Sequence, residues 1–194
     1  MRVFLPRNSY LQALLLALVA VGFYVSAAQP EPAAPGVLNF HQVNEHLYRG
    51  AQPTAEGLRN LARLGVKTVV NLRMKPEQSE TEKRAVEKLG MRYVQLPMQD
   101  GVAPTGEQVA KALSILNDQS AWPVFVHCAG GRDRTGVVVA CYRISFDRWT
   151  NQRALDEARR HGIRGVEQAK QRYILRYEPS VAGKGESPTT FHSQ

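Results

Sequence analysis

Short apolar runs alternate with longer amphipathic stretches through the middle of this chain. The runs Lys67–Leu72, Met91–Leu96 and Pro123–Val126 are rich in β-branched and aromatic residues, which is typical of strands buried on both faces. In the stretches between them, apolar residues recur every three or four positions, as on one face of a helix. Strands separated by such helices predict a single α/β domain with a central, mostly parallel sheet flanked by helices.

Capping residues predict where the helices begin. Hydroxyl side chains that can cap a helix precede four of the stretches, at Thr54, Ser79, Thr105 and Thr135. The pairs Ser79 with Glu82 and Thr105 with Gln108 also have the spacing of a capping box. Two further helices are predicted at about residues 151–161 and 166–177.

The N-terminus has the pattern of an export signal. Arg2 and Arg7 precede the uninterrupted apolar run Ala13–Val25, which the small residues Ser26–Ala28 follow. A basic start, a short apolar run and a small-residue end predict a secretory signal peptide over residues 1–28. With its flanking residues the run would reach the roughly 17–25 residues of a spanning helix, so an uncleaved membrane anchor is the alternative. Either way, we expect the domain to be exported, periplasmic or extracellular, or anchored to a membrane.

Composition shifts mark the ends of the domain. Residues 29–36 contain three prolines and predict an extended linker. Residues 180–194 are rich in Gly, Ser, Pro and Thr and predict a flexible tail. The globular domain is therefore expected at residues 37–179.

The net charge limits the classes of partner that the chain is expected to bind. The chain has 194 residues and a formal charge of +8, and loss of residues 1–28 would remove two arginines and no acid, which leaves +6. Such a balance suits nucleic acid, an anionic membrane or a phosphorylated substrate. Basic and aromatic residues are not interleaved as in nucleic-acid-binding motifs, so no nucleic-acid partner is predicted. Two cysteines and no His/Cys ligand spacing predict neither a disulfide scaffold nor a metal site.

One junction between a strand and a helix carries the chemistry. The strand that ends at His127 leads into Cys128, a short glycine-bearing loop, Arg134 and Thr135. Such a loop gathers backbone N–H groups and points a helix N-terminus at their centre, which suits a dianionic phosphate. Arg134 can hold two phosphate oxygens with its planar fork. The predicted substrate-binding positions are Ala129, Gly130, Gly131, Arg132 and Asp133, with the two glycines allowing the loop to curl.

Cys128 is the candidate nucleophile. The amides and helix dipole that attract phosphate also favour a thiolate, and His127 and Arg132 add to the positive field. Attack of the thiolate on phosphorus would give a cysteinyl-phosphate that water then hydrolyses. Thr135 can donate its hydroxyl to the departing sulfur, and His127 is expected to support the loop.

The pattern His-Cys-x5-Arg-Thr, after an apolar strand and before a β-branched helix, resembles the cysteine-based protein tyrosine and dual-specificity phosphatase superfamily. Leu47–Pro53 resembles an early segment of compact dual-specificity domains, and Trp149 with Ala154 and Glu157 resembles their late helix. The resemblance covers most of residues 40–165. It implies a tyrosine-phosphatase-like fold and hydrolysis of phosphate monoesters without metal or cofactor.

The family draws its general acid from an aspartate on a separate loop, about 30 residues before the cysteine, and Asp100 fits that position. Asp133 is the rival, because some relatives carry Lys-Asp-Arg-Thr in the loop and appear to take the acid from there. In this chain Arg132 replaces the lysine. The favoured interpretation of Asp133 is an ion pair with Arg132 or a bond to neighbouring backbone.

Several assignments remain open at this stage. Some Lys-Asp-Arg-Thr relatives act on phosphoinositides, so the substrate is either a phosphorylated protein or a phosphoinositide or inositol phosphate. A catalytically silent phosphate-binding module, a sulfurtransferase and an arsenate reductase are the alternatives to a phosphatase.

Cys141 is predicted to be a core residue, and an exported Cys128 thiolate would be sensitive to oxidation. The arginines of the last two helices are expected on solvated faces, at Arg153, Arg159, Arg160 and Arg164.

Overall fold

A five-stranded sheet with six α-helices forms the domain, as seen in a computed structural model that describes residues 33–74 and 76–179. The predicted signal peptide or anchor, most of the predicted linker and the predicted tail lie outside these residues, so they stay predictions. Within the described ranges, no helix has the length and apolar character needed to cross a membrane.

The sheet is mostly parallel, as predicted. Its strands lie in the order β1-β2-β5-β3-β4, and only the β1–β2 pair is antiparallel. The strands are β1 His41–Asn44, β2 Leu47–Gly50, β3 Thr68–Asn71, β4 Arg92–Gln95 and β5 Val124–His127. The β1–β2 hairpin is not predicted by the sequence pattern, because every residue of β2 is buried and no polar alternation marks it.

The helices follow the predicted order. They are α1 Ala55–Arg63, α2 Pro76–Lys88, α3 Gly106–Leu116, α4 Asp133–Ser145, α5 Asn151–Arg160 and α6 Gln168–Arg176. Two caps are confirmed, since Thr54 accepts a bond from the Gly57 N–H and Thr105 forms both halves of a capping box with Gln108. The Ser79–Glu82 capping box is wrong, because α2 begins three residues earlier, with a proline that suits a first helical turn.

The core explains why the central strand is held so firmly. Val124 and Val126 of β5 pack in one apolar cluster with α3 and α4, and Phe125 packs in a second cluster with α1 on the other face. Burial of each such side chain stabilises the fold by about 1.5–3 kcal/mol. Cys141 lies in the first cluster, where burial raises the pKa of its thiol, so the prediction of a core residue is confirmed.

The strand register brings three chain segments level at one end of the sheet. Gly50 at the end of β2 and Asn71 at the end of β3 both lie opposite His127 at the end of β5. The residues that follow these three strands therefore converge at the carboxyl edge of the sheet, where α/β proteins place their sites.

Candidate active site

The segment from Cys128 to Arg134, here called the cysteine loop, joins β5 directly to α4. Cys128 is 2% exposed, and Arg134 and Thr135 are buried as well. Because α4 begins at Asp133, its N-terminus is part of the loop rather than following it, and the N-cap position is Arg132 instead of the predicted Thr135. The helix dipole is therefore directed at the centre of the loop.

Only one of the two loop glycines has the conformation that requires glycine. Gly131 has a φ of +65°, and a Cβ atom there would lie 2.4 Å from the backbone carbonyl carbon of Gly50. Gly130 does not have a positive φ, and the nearest atoms to a Cβ there would be those of the Arg132 guanidinium, at the end of a flexible side chain. The predicted need for a curled loop is thus met by Gly131, which lets the loop lie directly on the end of β2.

The carbonyl groups of the cysteine loop are bonded from outside the loop. The Gly131 oxygen accepts hydrogen bonds from Arg49 Nη2 at 2.8 Å and from Asn39 Nδ2 at 3.0 Å. The Ala129 oxygen accepts from the Gln52 N–H at 3.2 Å. In a trans peptide the N–H points opposite to the C=O, so the N–H groups that follow these carbonyls face inward. This arrangement suits an anion held at the centre of the loop.

Asp100 and Arg134 are brought together at the mouth of the loop. Asp100 Oδ2 lies 3.8 Å from Arg134 Nη2, and the Asp100 side chain is 62% exposed. Arg134 is otherwise buried, with Nη1 donating to the Met98 oxygen at 3.4 Å. Gly101, which follows the aspartate, has a φ of +75° and closes a tight turn. The predicted acid is therefore placed beside the predicted phosphate clamp.

Two buried donor atoms at the cysteine loop are available for further hydrogen bonds. Within the described ranges, neither Arg134 Nε nor Thr135 Oγ1 has a hydrogen-bond partner, although both atoms are buried. Buried polar atoms are nearly always bonded, so unbonded ones at a loop of this kind are available to a ligand or to a reacting group. Both belong to residues that the sequence predicts to be catalytic.

His127 is fixed behind the loop by a buried polar network. Its Nε2 lies 2.9 Å from Glu82 Oε1, and both side chains are buried. Glu82 Oε2 accepts a bond from Asn71 Nδ2 at 2.8 Å, and Asn71 also bonds the hydroxyl of Tyr93, whose pKa is raised by burial. The Nδ1 of His127 lies 3.3 Å from the Cys128 oxygen. This placement suits the supporting role predicted for His127.

Glu82 is a site residue that the sequence analysis missed. The capping-box pattern assigned it to a helix start, whereas it lies within α2 and points into the protein. One signal was present: Ser79, Glu82 and Val86 have the spacing of a buried helix face, and all three are buried. A glutamate on such a face needs a buried partner, which here is His127.

The prediction for Asp133 is confirmed for a bond to neighbouring backbone and wrong for an ion pair with Arg132. Its carboxylate does not pair with Arg132 but accepts bonds from the backbone N–H and the Nε of Arg164, both at 2.9 Å. Arg164 in turn pairs with Glu167, which pairs with the buried Lys170. Because the carboxylate is turned toward Arg164, only the backbone of Asp133 remains to bind a substrate at the loop.

The arginines predicted on solvated faces are all exposed, at Arg153, Arg159, Arg160 and Arg164, although Arg164 lies outside a helix. Arg164 lies in the connection between α5 and α6, and its pairing with Asp133 raises its pKa. Arg153 lies over the ring of Trp149 at 3.8 Å. Arg159 pairs with Asp156 on an exposed helix face, as predicted for a solvated arginine. Arg132 is exposed, and its side chain lies against Gly162.

The sequence predicts no metal site because its His and Cys residues lack the spacing of metal ligands. Over residues 33–74 and 76–179, no three His, Cys, Asp or Glu side chains are gathered as metal ligands would be.

Comparison with known proteins places the site in a family. The family described as DSP-PTPase phosphatase fused to NAD+ kinase matches residues 34–176. Dual specificity protein phosphatase TpbA of Pseudomonas aeruginosa is 31% identical over 126 residues, which are 65% of this chain and 56% of TpbA. The chain thus spans little more than half the length of that relative. Inositol diphosphatase DSP2 of Oryza sativa is 29% identical over 148 residues, covering 74% of this chain and 71% of the rice protein.

A solved structure has the same fold. The core catalytic domain of the PP-IP phosphatase Siw14 from S. cerevisiae, in complex with citrate, superposes with a TM-score of 0.67 and 25% identity. The match covers 75% of this chain and 89% of the yeast domain. The prediction of a tyrosine-phosphatase-like α/β domain is confirmed.

Proposed function

The chain belongs to the family of cysteine-dependent dual-specificity and tyrosine phosphatases, and we propose that it hydrolyses phosphate monoesters through a cysteinyl-phosphate intermediate. One observation carries the proposal. The carbonyls of Ala129 and Gly131 are bonded outside the cysteine loop, so the N–H groups of Gly130 and Arg132 are left to face the inside of the loop between Cys128 and Arg134. A dianionic phosphoryl group is the ligand that such a loop suits best.

In the first step, the Cys128 thiolate attacks phosphorus in line with the ester oxygen. A sulfur–phosphorus bond forms as the phosphorus–oxygen bond breaks, and Asp100 gives its proton to the leaving oxygen. Arg134 and the inward N–H groups stabilise charge on the three equatorial oxygens.

In the second step, water attacks the cysteinyl-phosphate. Asp100, now ionised, takes a proton from the water, and the sulfur–phosphorus bond breaks to release inorganic phosphate. The unbonded hydroxyl of Thr135 donates a hydrogen bond to the departing thiolate. The buried His127–Glu82 pair keeps the end of β5 fixed through both steps.

Two substrate classes are supported by different observations. TpbA is named a dual specificity protein phosphatase, which favours phosphorylated proteins. DSP2 is named an inositol diphosphatase and Siw14 a PP-IP phosphatase, which favours inositol phosphates or phosphoinositides. Arg132, exposed on the loop, would serve the second class by adding a cation for a neighbouring phosphate.

The deciding experiment is phosphate release by the full chain from an aryl phosphate, phosphopeptides, phosphoinositides and inositol phosphates. We expect Cys128→Ser to lower turnover by at least about 10³-fold, since the nucleophile is removed. The matched control is Cys141→Ala, a buried cysteine outside the loop, which should keep turnover. Near wild-type turnover in Cys128→Ser would contradict the mechanism. Cyanide-dependent formation of thiocyanate would instead support a sulfurtransferase, and reductant-dependent reduction of arsenate would support an arsenate reductase. Tight binding of a phosphate ester without turnover would support a catalytically silent module.

We also propose that the domain acts outside the cytoplasm or at a membrane. The support is the basic and apolar pattern of residues 1–28. Fusing those residues to a reporter that is active only after export tests the proposal, with a matched fusion that begins at residue 29. Equal reporter activity in the two fusions would contradict it.

A further inference from the structure

Arg49 is a buried cation at the end of β2, directly under the cysteine loop. Its side chain is only 1% exposed and is among the largest fully buried side chains of the described residues. It lies opposite Val126 in the parallel pairing of β2 with β5. Burial of a charge is costly unless the charge is used, so the position calls for a function.

The contacts of Arg49 point at the loop. Nη2 donates to the Gly131 oxygen, while Nε and Nη1 have no hydrogen-bond partner among the residues described. In the same part of the chain, no carboxylate lies within 4.0 Å of its guanidinium. Burial lowers the pKa of Arg49 to about 10, so the group is still charged at neutral pH.

The titratable groups around Arg49 lie on α4, on α5 and at Cys128, together with His161 just after α5. Glu157 of α5 and a thiolate at Cys128 favour its charged form, and Arg143 of α4 opposes it. Glu157 is already engaged by Arg143, with three contacts between 2.8 and 3.2 Å. Electrostatic interaction is mutual, so a charged Arg49 favours the thiolate as much as the thiolate favours Arg49.

The other charges that face Cys128 are largely paired. His127 of β5 contacts Glu82 of α2, Asp133 is bound by Arg164, and Arg134 lies near Asp100. Arg132 is exposed to solvent, which weakens its field at the sulfur. Arg49 therefore contributes a buried charge without a close carboxylate partner.

We propose that Arg49 is a positioning residue, which holds the Gly131 carbonyl outward and supplies a buried positive charge that favours ionisation of Cys128. The proposal rests on the proposed phosphatase function and names a residue outside the cysteine loop as part of its machinery. Asn39 shares the first task, because it donates to the same Gly131 oxygen, but it carries no charge. Anchoring and charge can therefore be separated experimentally.

The experiment measures the rate at which iodoacetamide alkylates Cys128 between pH 4.5 and 9, in a Cys141→Ala background. Inhibition of the same alkylation by inorganic phosphate reports the affinity of the loop for the anion. Neither readout needs turnover, so a chain that fails to hydrolyse phosphate esters would overturn the proposed function and leave this test intact.

We expect Arg49→Gln to slow alkylation at pH 6 by about 10-fold and to move the midpoint of the profile upward, because the buried charge is lost. Arg49→Lys keeps the charge and should retain the wild-type midpoint, while weakening phosphate inhibition through loss of the guanidinium fork. Asn39→Ala should weaken phosphate inhibition and leave the midpoint unchanged. The matched control is Arg63→Gln, which removes one exposed positive charge from α1 and should change neither readout.

Two outcomes overturn the proposal. The charge role fails if Arg49→Gln keeps the wild-type midpoint, or if Arg49→Lys moves it as far as Arg49→Gln does. The anchoring role fails if both Arg49→Lys and Asn39→Ala bind phosphate as the parent protein does. Circular dichroism identifies variants that do not fold, and if Arg49→Gln is among them the Arg49→Lys and Asn39→Ala results decide the outcome.

Discussion

The two aspartates beside the cysteine loop occupy opposite environments. Asp100 extends from an exposed turn at the mouth of the loop, and its nearest cation, Arg134, is 3.8 Å away. Asp133 lies in the first turn of α4, mostly buried, with both carboxylate oxygens bonded by Arg164. The mouth therefore has a carboxylate that can meet solvent and substrate, whereas the buried side has one that is held in place.

This difference separates two requirements of the reaction. A general acid has to exchange its proton with a leaving group and with water, so exposure and freedom of movement favour Asp100. A carboxylate with both oxygens bonded by one arginine is held in place, which suits a firm anchor for backbone better than a mobile proton donor. The geometry accordingly supports Asp100 as the acid and Asp133 as the group that ties the loop to the α5–α6 connection.

Asp100→Asn is the strongest way to test the comparison. We expect kcat to fall by about 10²–10⁴-fold on esters with poor leaving groups, because the leaving oxygen then departs without a proton. The loss should be much smaller for p-nitrophenyl phosphate, whose leaving group needs little protonation. Steady-state rates on a series of aryl phosphates measure this slope. Asp118→Asn, which changes an exposed aspartate elsewhere on the surface, serves as the control.

Thr135→Val tests the buried side at the second step. The hydroxyl has no bond partner among the described residues, and a hydrogen bond to a charged group is worth about 1.5–3 kcal/mol. We therefore expect breakdown of the cysteinyl-phosphate to slow by about 10–100-fold. Stopped-flow release of p-nitrophenol should then show a burst followed by a slow phase. A single slow phase with no burst would place the effect on the first step instead.

Asp133→Asn should change stability more clearly than catalysis. The variant keeps the shape but loses the charge that faces a half-exposed Arg164, so Tm should fall by a few °C at most. Turnover should fall by less than about 10-fold. The control is Asp156→Asn, which breaks an exposed pair with Arg159 and should leave Tm nearly unchanged. If Asp133→Asn instead costs 10²-fold or more on poor leaving groups, and Asp100→Asn does not, the two roles are reversed.

The smallest expected effect is the contribution of His161 to the acid sensitivity of the fold. Burial, followed by the charge of Arg49, lowers the pKa of His161 to about 4, and His41, Arg160 and Arg143 act in the same direction. Between pH 6.5 and about pH 4, His161 is protonated in the unfolded chain but neutral in the folded one. The free energy of unfolding therefore decreases as the pH falls through this window. Thermal melts at pH 6.5 and 4.5 should show a smaller loss of Tm, by a few °C, in His161→Gln. Equal losses in the two proteins would rule out this contribution.

Local features of the fold were predictable because they depend on neighbouring residues. The strands β3, β4 and β5, the Thr54 and Thr105 caps and the strand–loop–helix junction at Cys128 are all specified within short segments. The hairpin of β1 and β2 was not predicted, since β2 is buried throughout, including an arginine.

The charged residues behind the loop could not be predicted in the same way. Arg49 meets its bonding partner 82 positions later in the chain, and Asp133 meets Arg164 31 positions later. Such pairings depend on how the sheet register and the helix connections bring distant segments together. Glu82 was open to detection from its place on a buried helix face, but its partner was not.

The close approach of Gly131 to Gly50 has a consequence for protein engineering. The cysteine loop cannot be transferred to another protein alone, because it packs against the end of a strand that lies far away in the chain. A designer who grafts His-Cys-x5-Arg-Thr between a strand and a helix of another α/β protein would have to keep a glycine at the position of Gly131 and place it against the end of a neighbouring strand, which here ends at Gly50. The arginine just before Gly50 would need to be transplanted as well, so the smallest transferable unit comprises two parallel strands and the turn that each one enters.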